Sequence, residues 1–364
     1  MIHKTPPLVS TIILLVSVFI LSSCSEKYDL LILNGTVYDG KGGEPVVTDI
    51  AIKDSMIMAM GDLDNAKALR IINAEGLAVS PGFIDMHAHL EPIMELNSCE
   101  SHVRQGVTTA LGGPDGSSPY PMKPFMDSLQ QKGIGMNAAF LVGHNTVRRN
   151  IMGLENRSPT PEELKAMEAE IDSAMKDGAY GISTGLKYLP GAFSKVDEVI
   201  DLSKVASKYG GIYTSHLREE GLGLFDAVQE AIQISKDADI PVILTHHKAI
   251  GKPMWGKSAR TLAMVDSARA KGLDIKMDQY PYAASYTSIS VLIPSWARAG
   301  GQEEFKARVE DPVLRDSIKN GIVFNILNDR GGSDLDRIQF AKVEWAPELE
   351  GKTLKYWCEQ HNLE

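Results

Sequence analysis

Five side chains stand out by type and by place: His87, His89, Lys187, His216 and His246. The first two lie in Phe83-Ile84-Asp85-Met86-His87-Ala88-His89, a short apolar strand that ends in two histidines one residue apart. Alternate residues of a strand face the same side, so both imidazoles converge on one point. Neutral imidazole is the commonest biological metal ligand, and a converging pair supplies half a metal site. His216 closes the run Tyr213-Thr214-Ser215-His216, His246 closes Val242-Ile243-Leu244-Thr245-His246, and Lys187 follows Gly181-Ile182-Ser183-Thr184-Gly185-Leu186. A single strand-end histidine is more often a hydrogen-bonded structural residue than a ligand. Several at equivalent places on successive strands point instead to a shared cation. His102 falls in a helical stretch and His3 near the N-terminus, and neither is expected to bind metal.

The surrounding pattern supplies the elements that must position these groups. Residues 28–80 show short alternating runs broken by turn residues, such as Leu30-Leu31-Ile32-Leu33 before Asn34-Gly35, and read as a small β-unit. After Pro81 apolar strands alternate with amphipathic helices. Strands are predicted over residues 83–86, 107–111, 136–142, 179–184, 211–214, 241–244 and 274–277. Thr160 followed by Pro161, Glu162 and Glu163 reads as a helix start, with an N-cap, a proline at the first position and acids in the first turn. Serial strand–helix units imply a parallel sheet, and this many favour a (β/α)₈ TIM-like barrel, an α/β fold whose functional groups gather at the C-terminal strand ends. Seven of eight strands are visible.

The motifs PGFIDMHAHLE, GVTTALGGPDG, LVGHNTVR, GAYGISTGLKYLPG, YTSHLREEG, PVILTHHKAIG and DQYPYAAS follow one another over most of the chain after Tyr28. In these the chain resembles the metal-dependent amidohydrolase superfamily, in particular its N-acyl-D-amino-acid deacylase (D-aminoacylase) branch. The resemblance implies the barrel together with a small β-sandwich. On that basis residues 1–24 form a leader, residues 25–80 belong to the sandwich, and residues 81–364 form the barrel.

Carried over residue by residue, the resemblance places one metal on His87 and His89 and a second on His216 and His246, with zinc as the default for one or two divalent ions. Where the best-known D-aminoacylases have a bridging cysteine, this chain reads Gly113-Pro114-Asp115-Gly116. Many other amidohydrolases use a carboxylated lysine after the fourth strand, so Lys187 is the expected bridge. A carbamate offers each metal one oxygen and spreads its charge between two cations. Asp115 is the alternative bridge. Lys248 and Tyr280 match positions that contact the substrate carboxylate, and Arg218 and His144 are further substrate-side candidates. Tyr286 stands where the family usually has a small residue. The family's metal-binding aspartate of strand eight is expected beyond Glu364, Asp334 and Asp336 being poor matches. The barrel is therefore expected to be C-terminally incomplete here and inactive alone.

The implied reaction is hydrolysis of the amide of an N-acyl amino acid, with D-configured substrates first, by metal-activated water. A cyclic-amide hydrolase of the dihydroorotase or hydantoinase type, and a non-catalytic metal-binding lipoprotein, are the alternatives.

Composition sets further bounds. The chain has 364 residues, 43% of them hydrophobic and 23% charged, as in a globular protein, with a formal net charge of -10. No basic patch interleaved with aromatics occurs, which argues against nucleic-acid binding. Residues 8–21 form an apolar run shorter than the ~20 residues needed to span a bilayer, followed by Ser22-Ser23-Cys24. This layout reads as a secretory signal. Leu21-Ser22-Ser23-Cys24 resembles a bacterial lipobox, implying lipidation at Cys24 and anchorage in the cell envelope. Cys99 and Cys358 are too far apart in sequence to suggest a disulfide framework. The sequence leaves the oligomeric state open.

Overall fold

The computed structural model describes residues 27–363; the leader and Cys24 lie outside the described residues. No described helix is long and apolar enough to cross a membrane. The chain divides into two units after Pro81.

The first unit is a five-stranded sheet. Its strands are β1 (Lys27–Val37), β2 (Val46–Lys53), β3 (Met56–Gly61), β4 (Lys67–Asn73) and β5 (Ala78–Val79). They run in the order β3-β2-β1-β4, with β5 also on β1. β2 is antiparallel to β1 and β3, whereas β4 and β5 are parallel to β1. Asp54 and Ser55, both at positive φ, make the two-residue turn between β2 and β3. Asn34-Gly35, expected to end the first strand, instead forms a bulge within it. Asn34 takes φ 60° and donates its backbone N–H to Asp49 Oδ1 at 2.8 Å. At Gly35 a Cβ would meet Val79 Cγ2 at 2.6 Å, so only glycine lets the strand continue past β5.

The second unit alternates strands and helices. Its strands are β6 (Phe83–Asp85), β7 (Val107–Gly112), β8 (Asn137–Phe140), β9 (Val142–Gly143), β10 (Gly181–Gly185), β11 (Ile212–His216), β12 (Val242–Leu244) and β13 (Ile275–Met277). All pairings are parallel, in two runs, β6-β7-β8 and β9-β10-β11-β12-β13. β8 and β9 share one strand position: Leu141 breaks it, donating its N–H to Gly112 O at 3.0 Å. Seven barrel positions result, joined by helices on the outside, as in a β/α barrel. Among the described residues β6 and β13 are not hydrogen-bonded to each other. Their C-terminal ends nevertheless meet, with His87 Nδ1 3.5 Å from Asp278 Oδ1.

The helices are α1 (Glu100–Val103), α2 (Met122–Lys132), α3 (His144–Met152), α4 (Pro161–Lys176), α5 (Val196–Ser207), α6 (Leu224–Ala238) and α7 (Ser258–Arg269), then α8 (Gln302–Glu310), α9 (Pro312–Asp329) and α10 (Leu354–Gln360). α4 starts as its sequence predicts. Thr160 Oγ1 accepts from Glu163 N at 3.2 Å while Glu163 Oε2 accepts from Thr160 N at 2.7 Å, a reciprocal cap. Met167 and Ile171 on α4, Val199 and Leu202 on α5, and Leu224 and Val228 on α6 are buried in the same core. Their apolar stripes press the helices onto the strands, each large side chain contributing about 1.5–3 kcal/mol by leaving water. This packing fixes the strand ends that carry the histidines.

Candidate metal centre

Four imidazoles from three strand ends, those of β6, β11 and β12, converge on one carboxylate. Asp115 sits beyond β7 and is almost wholly buried. His87 Nε2 lies 3.6 Å from its Oδ1 and His89 Nε2 3.5 Å from its Oδ2. His216 Nδ1 lies 3.8 Å from Oδ2, and His246 Nε2 lies 3.7 Å from Oδ1. His246 Nε2 and His216 Nδ1 are only 2.7 Å apart.

The loop that presents Asp115 is built for close approach. Gly113 and Gly116 both take positive φ, and a Cβ on either would collide with Leu141 O at 2.5 Å or Gly185 N at 2.6 Å. Ser183 of β10 clamps the loop, donating to Gly113 O at 2.6 Å and accepting from Gly116 N at 3.1 Å. Asp115 and His246 themselves take φ 55° and 38°. Such left-handed residues at a cluster of ionisable groups mark a site that the surrounding packing holds in place.

A second set of carboxylates stands behind the imidazoles. Asp278 Oδ1 is 3.5 Å from His87 Nδ1 and accepts the backbone N–H of His246 at 2.5 Å. Glu91 Oε1 is 3.2 Å from His89 Nδ1, and Glu220 Oε1 is 3.1 Å from His246 Nδ1. Three rings thus have one nitrogen toward an outer acid and the other toward Asp115. That is how metal-binding histidines are oriented in general.

The electrostatics follow from this crowding. Burial pushes the Asp115 carboxyl up, but the four imidazoles outweigh it and hold it well below the usual range. Burial works against protonation of His87, yet Asp115 and Asp278 raise it to about 9. Asp115 and Glu91 raise His89 to about 10. His216 goes the other way, lowered because it is fully buried.

The donor set fits a divalent cation. The nitrogen-to-Asp115 distances are too long for hydrogen bonds, but they suit ligand atoms arranged around a common ion at about 2.0–2.2 Å. His87 Nδ1, Asp115 Oδ1 and Asp278 Oδ2 are buried with no hydrogen-bond partner. Two overlapping groups meet ligand spacing: His87, Asp115 and His246, and His216, Glu220 and His246.

The sequence matches known proteins over most of its length. It is 37% identical over 295 residues to an N-acyl-D-glutamate deacylase, and 34% identical over 291 residues to a D-aminoacylase, both of Alcaligenes xylosoxydans xylosoxydans. These alignments cover 75% and 73% of the chain and 60% of each relative. The fold agrees with that of an N-acyl-D-glutamate deacylase from Bordetella bronchiseptica, solved with zinc and a phosphonate inhibitor. The TM-score is 0.78 at 29% identity, over 93% of this chain and 68% of the other. In sequence and in fold, this chain matches the D-aminoacylase branch of the amidohydrolases. It spans about 60% of the curated relatives' length. No family model matches it.

Of the residues singled out from sequence, His87, His89, His216 and His246 come together around Asp115. Lys187 lines the same pocket but is paired with two acids. Its Nζ donates to Glu219 Oε1 at 2.6 Å and Asp329 Oδ2 at 3.1 Å. A carbamate there would face two acids, whereas Asp115 lies among the four imidazoles. His144 and Arg218 do not line the metal pocket. His144 is fully buried, donating from Nε2 to Glu198 at 2.8 Å, and Arg218 pairs with Glu230 at 2.7 Å. Lys248 and Tyr280 do line the pocket, a cavity of about 580 Å³, with Lys248 Nζ 5.6 Å from the Tyr280 ring centre. His102 lines it too.

Three residues that sequence reasoning left without a role are also there. Glu220 is four residues beyond His216 in the same motif, a spacing that could have signalled it. Tyr188 packs its ring 4.4 Å from that of His216. Arg330 lines the pocket from the end of α9.

Proposed function

We propose that this chain is the metal-holding part of a hydrolase that cleaves the amide of N-acyl amino acids, D-configured ones first. One observation carries the reading: four strand-end imidazoles surround the buried Asp115 carboxylate, three of them backed by a second acid. The names of the related deacylases agree with it. They also favour linear amides over the cyclic amides of hydantoinases.

In this proposal His87, His89, His216, His246 and Asp115 would hold one or two zinc ions. When bound, zinc supplies Lewis acidity, polarising a carbonyl and lowering the pKa of water toward neutrality. Glu91 accepts from the outer nitrogen of His89 and would leave its inner nitrogen free to ligate, while Asp278 and Glu220 set a negative charge beside the outer nitrogens of His87 and His246. Lys248 is held by Glu220 at 2.6 Å and offers its charge to the substrate carboxylate. Tyr280, whose hydroxyl burial keeps protonated up to about 12, adds a neutral donor.

The test is turnover of N-acetyl-D-amino acids by the zinc-loaded full-length protein, against N-acetyl-L-amino acids, hydantoin and dihydroorotate. Turnover of the D-series supports the reading; turnover of cyclic amides alone overturns it. Zinc bound without turnover of any of them would favour the non-catalytic alternative.

We also propose that Cys24 is lipidated and anchors the protein in a bacterial envelope. The apolar run over residues 8–21 and the Leu21-Ser22-Ser23-Cys24 motif support this. An intact, unmodified Cys24 by mass spectrometry of protein from a bacterial host would contradict it.

A further inference from the structure

We propose that a second cavity, beside the metal pocket, is a subsite for an aliphatic carboxylate on the substrate, held by Arg149 and Arg298. The inference rests on the hydrolase reading above and deepens it.

This cavity has a volume of about 620 Å³ and shares Lys187, Tyr188 and Val291 with the metal pocket. Tyr188 is the informative part of the shared wall. Its ring lies 4.4 Å from the His216 imidazole, and its hydroxyl lies 3.3 Å from Thr287 Oγ1. A molecule whose amide sits at the imidazoles therefore has a second chamber immediately beyond Tyr188.

The lining of that chamber is cationic. Arg149, near the end of α3, donates from Nη2 to Leu189 O at 2.9 Å, and Arg298 donates from Nη1 to Ser290 Oγ at 3.1 Å. Both thus bond to neutral oxygens, and among the described residues neither is paired with a carboxylate. Elsewhere in the fold Arg148, Arg157 and Arg218 each pair with a glutamate. Lys187 and Glu219 also line the cavity, but Lys187 pairs with both Glu219 and Asp329, so this group offers no free positive charge. The two guanidiniums remain, each with further N–H donors suited to bidentate carboxylate binding.

The other walls select the body of the ligand. Leu154, Trp296 and Phe324 are apolar, so an alkyl chain ending in a carboxylate fits better than a small inorganic anion. Gly300 N donates to Leu154 O at 2.9 Å, tying the segment that carries Trp296 and Arg298 to the barrel loop after α3. Two substrate positions could supply such a chain: an acidic side chain on the amino acid, or an acidic acyl group.

The experiment has a binding arm and a turnover arm. Glutarate binding is measured calorimetrically on the wild-type protein and on the Arg149→Gln/Arg298→Gln double variant, with circular dichroism to check folding. The double variant should bind glutarate about tenfold or more weakly, as loss of charged hydrogen bonds implies. Arg149→Lys/Arg298→Lys should restore part of the affinity. In turnover, N-acetyl-D-leucine should lose nothing in the Gln double variant. N-acetyl-D-glutamate or N-succinyl-D-leucine should lose about tenfold in kcat/KM, and whichever loses more identifies the occupant. No glutarate binding by the wild type, or equal binding by wild type and double variant, overturns the proposal, as does an equal loss on all three substrates. If no N-acyl amino acid is turned over, the hydrolase reading fails while glutarate binding still decides the subsite.

Discussion

Asp278 Oδ1 lies 3.5 Å from His87 Nδ1, while Nε2 of the same ring lies 3.6 Å from Asp115. One imidazole is thus held between an outer and a central acid, and the outer acid comes from the strand position farthest along the barrel. Asp278→Asn keeps the shape but removes the charge that fixes the ring. The expected result is a metal affinity about 10–100-fold weaker with an unchanged circular dichroism spectrum, read by zinc titration. Unchanged affinity would show that Asp278 does not orient His87.

Glu220 sits behind His246 as Asp278 sits behind His87, but it also holds Lys248 at 2.6 Å. Glu220→Gln should therefore weaken zinc binding and raise KM together, because ligand orientation and the cation's position both depend on it. Steady-state kinetics at saturating zinc separates the two effects. A change in zinc affinity with KM unmoved would remove Lys248 from substrate binding.

The strand ends were legible in the sequence, and with them the four imidazoles. Period-two apolar runs closed by histidine fix both the strand and the face its last residue takes. The acid partners of Lys187 were not legible, for a physical reason. One of its two acid partners, Asp329, lies 142 residues away on a helix that no local pattern ties to β10. The partner of His144 was hidden in the same way. His144 follows a strand as a pocket residue would, but Glu198, 54 residues on, draws it into the core. Asn34-Gly35 carried a turn signal, and only the neighbouring β5 turns that signal into a bulge.

Glu198 makes a prediction about stability. Burial raises its pKa, but the hydrogen bond from His144 and the Arg148 guanidinium outweigh burial and lower it below 4.5. A depressed carboxyl stabilises the fold above its unfolded pKa, and the contribution fades as pH falls through the folded value. Glu198→Gln leaves Arg148 buried without its countercharge and should cost about 3–5 kcal/mol at pH 7. The gap between wild type and variant in urea unfolding should narrow below about pH 4. A gap independent of pH would show that the charge on Glu198 contributes nothing.

The core between helices and strands makes a simpler one. Leu202 on α5 is wholly buried in the main apolar cluster. Leu202→Ala should lose about 2–5 kcal/mol in the same unfolding experiment through lost transfer energy and the cavity left behind. A loss under about 1 kcal/mol would mean that α5 does not hold the barrel as described.

The central claim is that Asp115 and its four imidazoles hold the working metal, and zinc content measures it most directly. Purified wild type, Asp115→Ala and Lys187→Ala would be loaded with zinc, dialysed and analysed for bound metal. The account predicts zinc retained by the wild type and by Lys187→Ala, and lost from Asp115→Ala. Zinc retained by Asp115→Ala but lost from Lys187→Ala, with recovery on adding short carboxylic acids, would contradict it and make Lys187 the bridge.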